Sequence, residues 1–305
     1  MPPSIGRYQI LDAAGEGGLA VFRARDTRLG RTVLVKCVSP ALLADPLKKA
    51  RLMEAVGRLR SLSHPRVAEL CDVVEQDDEL WLVYEYAGGE SLARVMGGRP
   101  LHPRRAAELA AQTADGLAEA HALGILHGNL RPDNIIVTAK GQVKLVDIGL
   151  SQFTRTDDVA AYFSPEAARG QAEDARSDIY SLGVVLYEML TGEVPFGARR
   201  GERTATTVRD ATPPPPSSRM SGAARELDPV VARMLATSVD HRYTSAAPVA
   251  ADLRNVAERL ESQAVARPVV PREPIAGRRR SRSTALALWA LFVIVFAMVV
   301  WWLRR

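Results

Sequence analysis

Residues 8–86 alternate short apolar runs with turns. The runs YQIL, LAVFRAR and RTVLVKCV are rich in β-branched and aromatic residues, and glycine-containing turns separate them at Gly15–Gly18 and around Gly30. Farther along, VAELCDVVEQ and ELWLVYEYA predict an antiparallel pair that turns at Gln76–Asp78. This pattern is typical of a small sheet of antiparallel strands.

One helix interrupts these strands. Asp45 followed by Pro46 is a favourable helix start, because proline fits the first helical position. Leu52, Val56 and Leu59 then recur at i, i+4 and i+7, which is the spacing of a helix that lies on a sheet.

After Gly88 the pattern becomes mainly helical. An Ala- and Leu-rich helix is predicted from Pro103 to Leu123, and Ser177–Thr191 is apolar nearly all round, which predicts a central buried helix capped by Ser177. Two amphipathic helices are predicted over 223–236 and 245–260. Between the first two helices, the runs IIVTA and VKLVD predict a short hairpin.

The predicted fold class is therefore α+β and bilobal. A β-rich lobe with one helix covers residues 1–87, and a mainly helical lobe covers 88–261. A Pro- and Arg-rich linker, expected to be extended, follows over 262–284.

Residues 285–303 read ALALWALFVIVFAMVVWWL and carry no charge. A helix of that length spans roughly 28 Å, close to the thickness of a bilayer core. Trp289 and Trp301 are placed for the two interfaces, and four arginines precede the span. The sequence predicts a single-pass helix in the cell (inner) membrane, with the preceding domain in the cytoplasm and the C-terminus outside.

The basic charge belongs to this predicted anchor. The formal net charge is +5, and it becomes −1 when the six arginines that flank the span are left out. A lipid bilayer is therefore an expected partner, and nucleic acid is not. The two cysteines, Cys37 and Cys71, lie in apolar strand-like runs, which excludes a disulfide-based fold and fits a reducing cytoplasm.

The order of the motifs along residues 8 to about 260 resembles the bacterial Ser/Thr protein-kinase domain. A glycine-rich turn, GEGG, comes first, and VLVK stands where the family has V-A-I-K. HGNLRPDN then resembles H-R-D-L-K-P-x-N, DIG resembles D-F-G, and SPE resembles A-P-E. SDIYSLG and DHRY supply the aspartate and the arginine that the family has in its larger lobe.

The resemblance implies ATP and Mg²⁺ as ligands and assigns roles to individual residues. For the nucleotide, it implies backbone contacts to the phosphates from Gly15, Gly17 and Gly18, and neutralisation of phosphate charge by Lys36, which pairs with Glu54. It also implies that a hinge at Glu85–Ala87 contacts the adenine and that Tyr84 is the gatekeeper residue. For the metal, it implies Asn134 and Asp147 as oxygen ligands. The implied structural residues are His127, Glu166, Asp178 and Arg242, the last pairing with Glu166.

Several positions depart from the family pattern. Asn129 replaces the catalytic-loop aspartate that accepts the substrate proton, and an amide has no useful basicity. Arg131 stands for the catalytic-loop lysine, and Gly128 replaces the arginine that reads a phosphorylated activation loop. Val159 replaces a threonine near A-P-E, and the third glycine of the turn is Ala20.

Three hypotheses follow from this pattern. The preferred one is a membrane-tethered pseudokinase that still binds ATP and acts as a regulatory or docking module for an unidentified protein, either an active kinase or its substrate. The second is a slow Ser/Thr kinase in which Asn129 only orients the hydroxyl. The third is a scaffold that binds no nucleotide.

Overall fold

The computed structural model describes residues 3–15, 20–38, 40–154, 161–195, 213–219, 225–266 and 298–304. The chain divides into two compact units, Met1–Ala264 and Val265–Arg305. The first unit is bilobal, with a β-rich lobe followed by a mainly helical one, as the sequence predicts.

A six-stranded antiparallel sheet forms most of the smaller lobe, in the spatial order β1-β2-β3-β4-β6-β5. Its strands are β1 (Ser4–Ile5), β2 (Tyr8–Gly15), β3 (Ala20–Asp26), β4 (Thr32–Val38), β5 (Leu70–Gln76) and β6 (Glu79–Glu85). The predicted pair is β5 and β6. Asp77 and Asp78 join them with φ angles of 54° and 60°, the left-handed backbone of a two-residue hairpin.

The two faces of β4 pack against different clusters. Val33 and Val35 belong to the cluster on one face of the sheet, together with Ile5 and Tyr8. Val38 belongs to the main core, and Leu34 packs against it from a partly buried position. Because side chains alternate along a strand, Lys36 projects from the same face as Leu34 and Val38.

Two helices follow β4: α1 (Pro40–Leu43) and α2 (Pro46–Leu59). The Asp45 carboxylate accepts hydrogen bonds from the backbone N–H groups of Leu47 and Lys48, at 3.0 and 3.2 Å, so α2 begins at the predicted Asp45–Pro46 pair. Its buried residues are Leu52, Ala55, Val56 and Leu59. Three of these four, Leu52, Val56 and Leu59, belong to the same core cluster as Val38, Leu80 and Leu82 on the sheet face that carries Lys36.

The larger lobe is built mainly of helices. They are α3 (Leu92–Met96), α4 (Pro103–Ala122), α5 (Ser151–Thr154), α6 (Pro165–Ala168), α7 (Ala175–Thr191), α8 (Asp228–Met234) and α9 (Ala246–Ala266). A small antiparallel sheet, β7 (Gly89–Ser91), β8 (Ile135–Thr138) and β9 (Val143–Leu145), lies beside them.

Helix α7 has buried residues on every side, as its sequence predicts. The prediction that Ser177 is the N-cap of this helix is wrong. Asp174 caps the helix by accepting from Arg176 N, and the Ser177 hydroxyl accepts from Asp174 N as the other half of a capping box.

The start of the predicted linker is also corrected. Residues 262–266 continue α9 as helix, because the polar and small residues there have good helix propensity and no proline occurs before Pro268. Residues 267–284 and most of the predicted membrane span lie outside the described residues, and 298–303 are helical. Within the described ranges, no helix combines the length and hydropathy needed to cross a bilayer.

Candidate nucleotide site

A cavity of about 640 Å³ opens between the larger sheet and the catalytic-loop segment of the first unit. Strands β2 to β4 line one wall, the end of β6 and the residues after it form the back, and 129–136 with 146–147 form the floor. Seven of the predicted site residues reach this cavity, and six of them are Lys36, Glu85, Ala87, Asn129, Asn134 and Asp147. Arg131 lines it as well.

Part of the cavity lining is apolar. Val21 and Leu34 lie on the sheet side, and Ile136 lies on the floor. At the back, Tyr84 is buried, and burial raises the pKa of its hydroxyl. A flat base fits between such walls, because ligand pockets are mainly apolar with a few polar anchors.

The hinge is held from behind by a charged contact that the sequence analysis missed. Lys144 Nζ lies 2.6 Å from Glu85 Oε2 and donates to the Val67 carbonyl at 3.2 Å. The Glu85 N–H donates to the Glu69 carbonyl at 2.9 Å. Glu85 therefore serves the cavity through its backbone position, while its carboxylate belongs to the rear of the hinge.

Lys36 is buried and its ammonium group is ion-paired with the Asp147 carboxylate. Burial lowers the pKa of Lys36 to about 8. The same ammonium lies 5.6 Å from the centre of the Tyr84 ring. The structure thus joins the two predicted phosphate- and metal-binding side chains directly to each other.

The predicted pairing of Lys36 with Glu54 is wrong. The Glu54 side chain is 69 % exposed and lies 3.6 Å from Arg58, one turn farther along α2. At about 100° per residue, Glu54 is turned about 200° from Leu52, whereas Ala55 is only about 60° from it. The inward position next to the predicted one is therefore occupied by alanine.

Asn134 and Asp147 offer oxygen atoms suited to Mg²⁺. Asn134 is the last residue of a 3₁₀ turn, Pro132–Asn134, and its side-chain amide nitrogen donates to the Asn129 carbonyl at 2.8 Å, which leaves the side-chain oxygen for a cation. The Val146 N–H donates to the Asn134 carbonyl at 3.0 Å and so holds the two segments together. Asp147 has a φ of 63°, an uncommon backbone for a residue with a side chain.

This pair fits a metal that is shared with a ligand. In the described ranges, no three His, Cys, Asp or Glu side chains cluster closely enough to hold a metal by themselves. Two protein oxygens with phosphate oxygens from a nucleotide are the arrangement that Mg²⁺ commonly takes.

Asn129 is buried and stands on the cavity floor, where the family's aspartate would be. Arg131 Nε lies 3.9 Å from Asp133 Oδ2, so its charge is directed along the loop. A neutral amide at 129 can orient a hydroxyl by hydrogen bonding but cannot take its proton.

The buried carboxylate of Asp178 holds the backbone of the catalytic loop at His127 and Gly128. Its two carboxylate oxygens accept from the N–H groups of His127 and Gly128, each at 2.8 Å, and one oxygen also lies 2.8 Å from His121 Nε2. Burial alone would raise the pKa of Asp178, but these contacts outweigh it and hold the pKa below its usual range. The contact with His121 was not predicted, and no spacing in the sequence signals it.

Glu166 and Arg242 form the ion pair that the resemblance implies. Arg242 Nη1 and Nη2 donate to the two carboxylate oxygens at 2.7 and 2.9 Å, and the Ser177 hydroxyl donates to the first oxygen at 2.7 Å. Burial raises the pKa of Glu166, but the hydrogen bonds from Arg242 and Ser177 lower it to about 2.

Part of the predicted loop machinery lies outside the described residues, namely Gly17, Gly18 and Val159. Gly15 is described, and it ends strand β2 opposite Val21 rather than forming the turn.

Asp12 and Arg23 form a cross-strand pair at the cavity edge, with Arg23 Nε 2.7 Å from Asp12 Oδ1. Register irregularities in β2 kept this pair from being read from the sequence.

Comparison with known proteins supports the same assignment. The family model described as "Protein kinase domain" matches residues 8–254. The serine/threonine-protein kinase PknB of Mycolicibacterium smegmatis is 36 % identical, with the match covering 96 % of this chain and 53 % of that protein. PrkC of Bacillus subtilis is 32 % identical over 85 % of this chain and 42 % of its own length. The chain thus spans about half the length of these relatives.

Solved structures agree with the fold. The PknI kinase domain of Mycobacterium tuberculosis superposes with a TM-score of 0.69, at 25 % identity, over 84 % of this chain and 97 % of that one. Since both the family model and the relatives cover most of the sequence, the chain belongs to the protein kinase domain family, as a member of the bacterial serine/threonine protein kinases.

Proposed function

We propose that this domain binds ATP with Mg²⁺ in the described cavity and transfers the γ-phosphate slowly to Ser or Thr hydroxyls of other proteins. Family membership and the relatives named serine/threonine-protein kinases support the reaction class. The observation that carries the site is that Lys36, Asn134 and Asp147 line one cavity with the hinge. For these reasons we prefer the slow-kinase hypothesis to the pseudokinase hypothesis that the motifs alone favour.

The residues of this chain would act mainly by positioning and electrostatics, on which phosphoryl transfer largely depends. The apolar part of the cavity lining holds the base, and Lys36 neutralises phosphate charge. Mg²⁺, when bound with the nucleotide, supplies further charge neutralisation at Asn134 and Asp147. Asn129 orients the acceptor hydroxyl without taking its proton, which lowers the rate by about 10²–10⁴-fold.

A second candidate function is a nucleotide-binding regulator that transfers no phosphate. Asn129 favours it, and so does the inward face of α2, which carries Ala55 where an acidic side chain could have held Lys36. In this case ATP would stabilise one arrangement of the domain that an unidentified partner protein recognises.

The deciding experiment is γ-phosphate transfer from labelled ATP by the purified chain, with Mg²⁺ or Mn²⁺ and generic protein substrates. Transfer above the background of Lys36→Ala supports the kinase. Absent transfer, with rescue by Asn129→Asp, supports the regulator. If ATP also fails to raise the melting temperature, the nucleotide-free scaffold is the remaining hypothesis.

We also propose that residues 285–303 attach the protein to the cell (inner) membrane as a single span. The support is their uncharged sequence and the arginines on both sides.

A further inference from the structure

The buried charge of Lys36 is neutralised by a single carboxylate, that of Asp147. Among the described residues, the buried lysine and arginine side chains are Lys36 and Arg242, and Arg242 has Glu166 as its partner. Lys36 has Asp147, whose side chain is 22 % exposed, while its own is 7 % exposed. An ammonium group buried to this degree is strongly destabilising when its partner is removed.

Helix α2 offers no substitute for Asp147. The only acidic residue of α2 is Glu54, and it lies on the exposed face with Arg58. The buried residues of α2 are Leu52, Ala55, Val56 and Leu59. Leu52, Val56 and Leu59 share the core cluster of Val38, which lies on the sheet face from which Lys36 projects. A cation at Asp147 would therefore leave Lys36 without its carboxylate.

We propose that Lys36 and a divalent cation compete for Asp147, so that the cavity binds ATP about as well without Mg²⁺ as with it. The inference rests on the nucleotide binding proposed above and adds a ligand preference to it. Free ATP is more negative than its Mg²⁺ complex, so its phosphates are the better partner for an ammonium group. Lys36 has three N–H donors and can contact a phosphate while it stays with Asp147.

Ala55 is the residue that we hold responsible for this preference. A carboxylate at 55 would lie on the buried face of α2, next to Val56, which belongs to the core cluster that reaches the Lys36 face of the sheet. There it would take over the ammonium group and leave Asp147 for the metal. The substitution Ala55→Glu should therefore convert a metal-indifferent site into a metal-dependent one.

The first test is calorimetric titration of the full-length chain with ATP, in excess EDTA and in excess Mg²⁺. For the wild type we expect the two dissociation constants to lie within about threefold of each other. The corresponding difference in binding free energy is well under the ~1.4 kcal/mol of a tenfold change. In Ala55→Glu we expect Mg²⁺ to tighten ATP binding by at least about tenfold. Ala55→Gln, of equal size without the charge, and Glu54→Gln, on the exposed face, should both behave as the wild type.

The second test does not depend on the folding of a variant with a buried glutamate. Titration with Mn²⁺ alone, followed by its electron paramagnetic resonance signal, should show weak binding to the wild type and binding about tenfold tighter to Lys36→Met, because Asp147 is released. Asp147→Asn in the Lys36→Met background should abolish the gain.

The outcomes separate this inference from the proposed function. ATP binding by the wild type that strictly requires Mg²⁺, or Mn²⁺ binding equal in the wild type and Lys36→Met, overturns the competition. ATP binding absent in both buffers overturns the nucleotide site itself, and the Mn²⁺ titration still decides whether Lys36 competes with a metal.

Discussion

Arg242 holds Glu166 by two parallel hydrogen bonds inside the larger lobe, with the arginine only 2 % exposed. The same guanidinium group donates to the carbonyls of Ala236, Arg176 and Thr237. One side chain therefore joins the segment after α8 to the start of α6 and to α7, which are far apart in the sequence.

Removal of this arginine should destabilise the domain strongly. Arg242→Ala leaves the buried Glu166 charge unpaired, and we expect the free energy of unfolding to fall by about 3–5 kcal/mol. Urea denaturation measures the change. Arg58→Ala breaks the exposed pair with Glu54 and should cost less than about 1 kcal/mol. Equal losses in the two variants would contradict the role of burial.

Acid should act through Glu166. Its pKa is about 2 in the folded chain against an ordinary value of 4.5, so the folded state binds its proton less readily than the unfolded state. The stability that this carboxylate provides is complete above pH 4.5 and is lost as the pH falls towards 2. Glu166→Gln should accordingly be less stable than the wild type at neutral pH, and the gap should narrow between pH 4.5 and 2. A gap that stays constant over this range would disprove the link.

Substitution of Asp178 should release the catalytic loop. Asp178→Asn has one oxygen in place of two, so it cannot accept from both backbone N–H groups in the same geometry, and we expect a loss of about 3 kcal/mol. Hydrogen exchange is the sharper measurement, since the amides of His127 and Gly128 should lose protection first. Unchanged protection at these two amides would show that other contacts hold the loop.

Two glycines should respond oppositely to alanine. A Cβ at Gly89 would lie 2.3 Å from the Val137 carbonyl oxygen in the paired strand, so Gly89→Ala should cost about 1–3 kcal/mol. Gly57, within α2, has no atom outside the adjacent helix backbone within 4 Å of the added Cβ, and Gly57→Ala should stabilise the domain by about 0.5–1 kcal/mol. Melting temperatures of the two variants test both signs.

Truncation tests the membrane proposal. Removal of residues 285–305 should move the protein from the membrane fraction to the soluble fraction, because the uncharged segment is lost. Deletion of 267–276 shortens only the linker and should leave the protein with membranes. A truncated chain that still sediments with membranes would refute the single span.

The sequence determined most of the fold because its signals were local or came in a fixed order. Asp45 caps α2 through atoms two and three residues away, and the kinase motifs place Arg242 near Glu166 by resemblance. The site was predicted less completely. The Leu52, Val56 and Leu59 stripe already places Glu54 outward, but the motif order outweighed that periodicity. His121 and Lys144 depend on packing between distant elements, which no spacing within one helix or strand reveals.

The anchoring of the catalytic loop has a consequence for how this sequence can change. Asp178 accepts hydrogen bonds from two backbone N–H groups of this loop, and every residue except proline has such a group. Asp178 itself therefore sets no requirement on which side chains stand at 127–129, although the φ of 68° at Gly128 favours glycine there. The side chain at Asn129 can therefore change, or revert to aspartate, without loss of this anchor, so the rate of the proposed phosphate transfer can drift in evolution while the architecture that presents it stays the same.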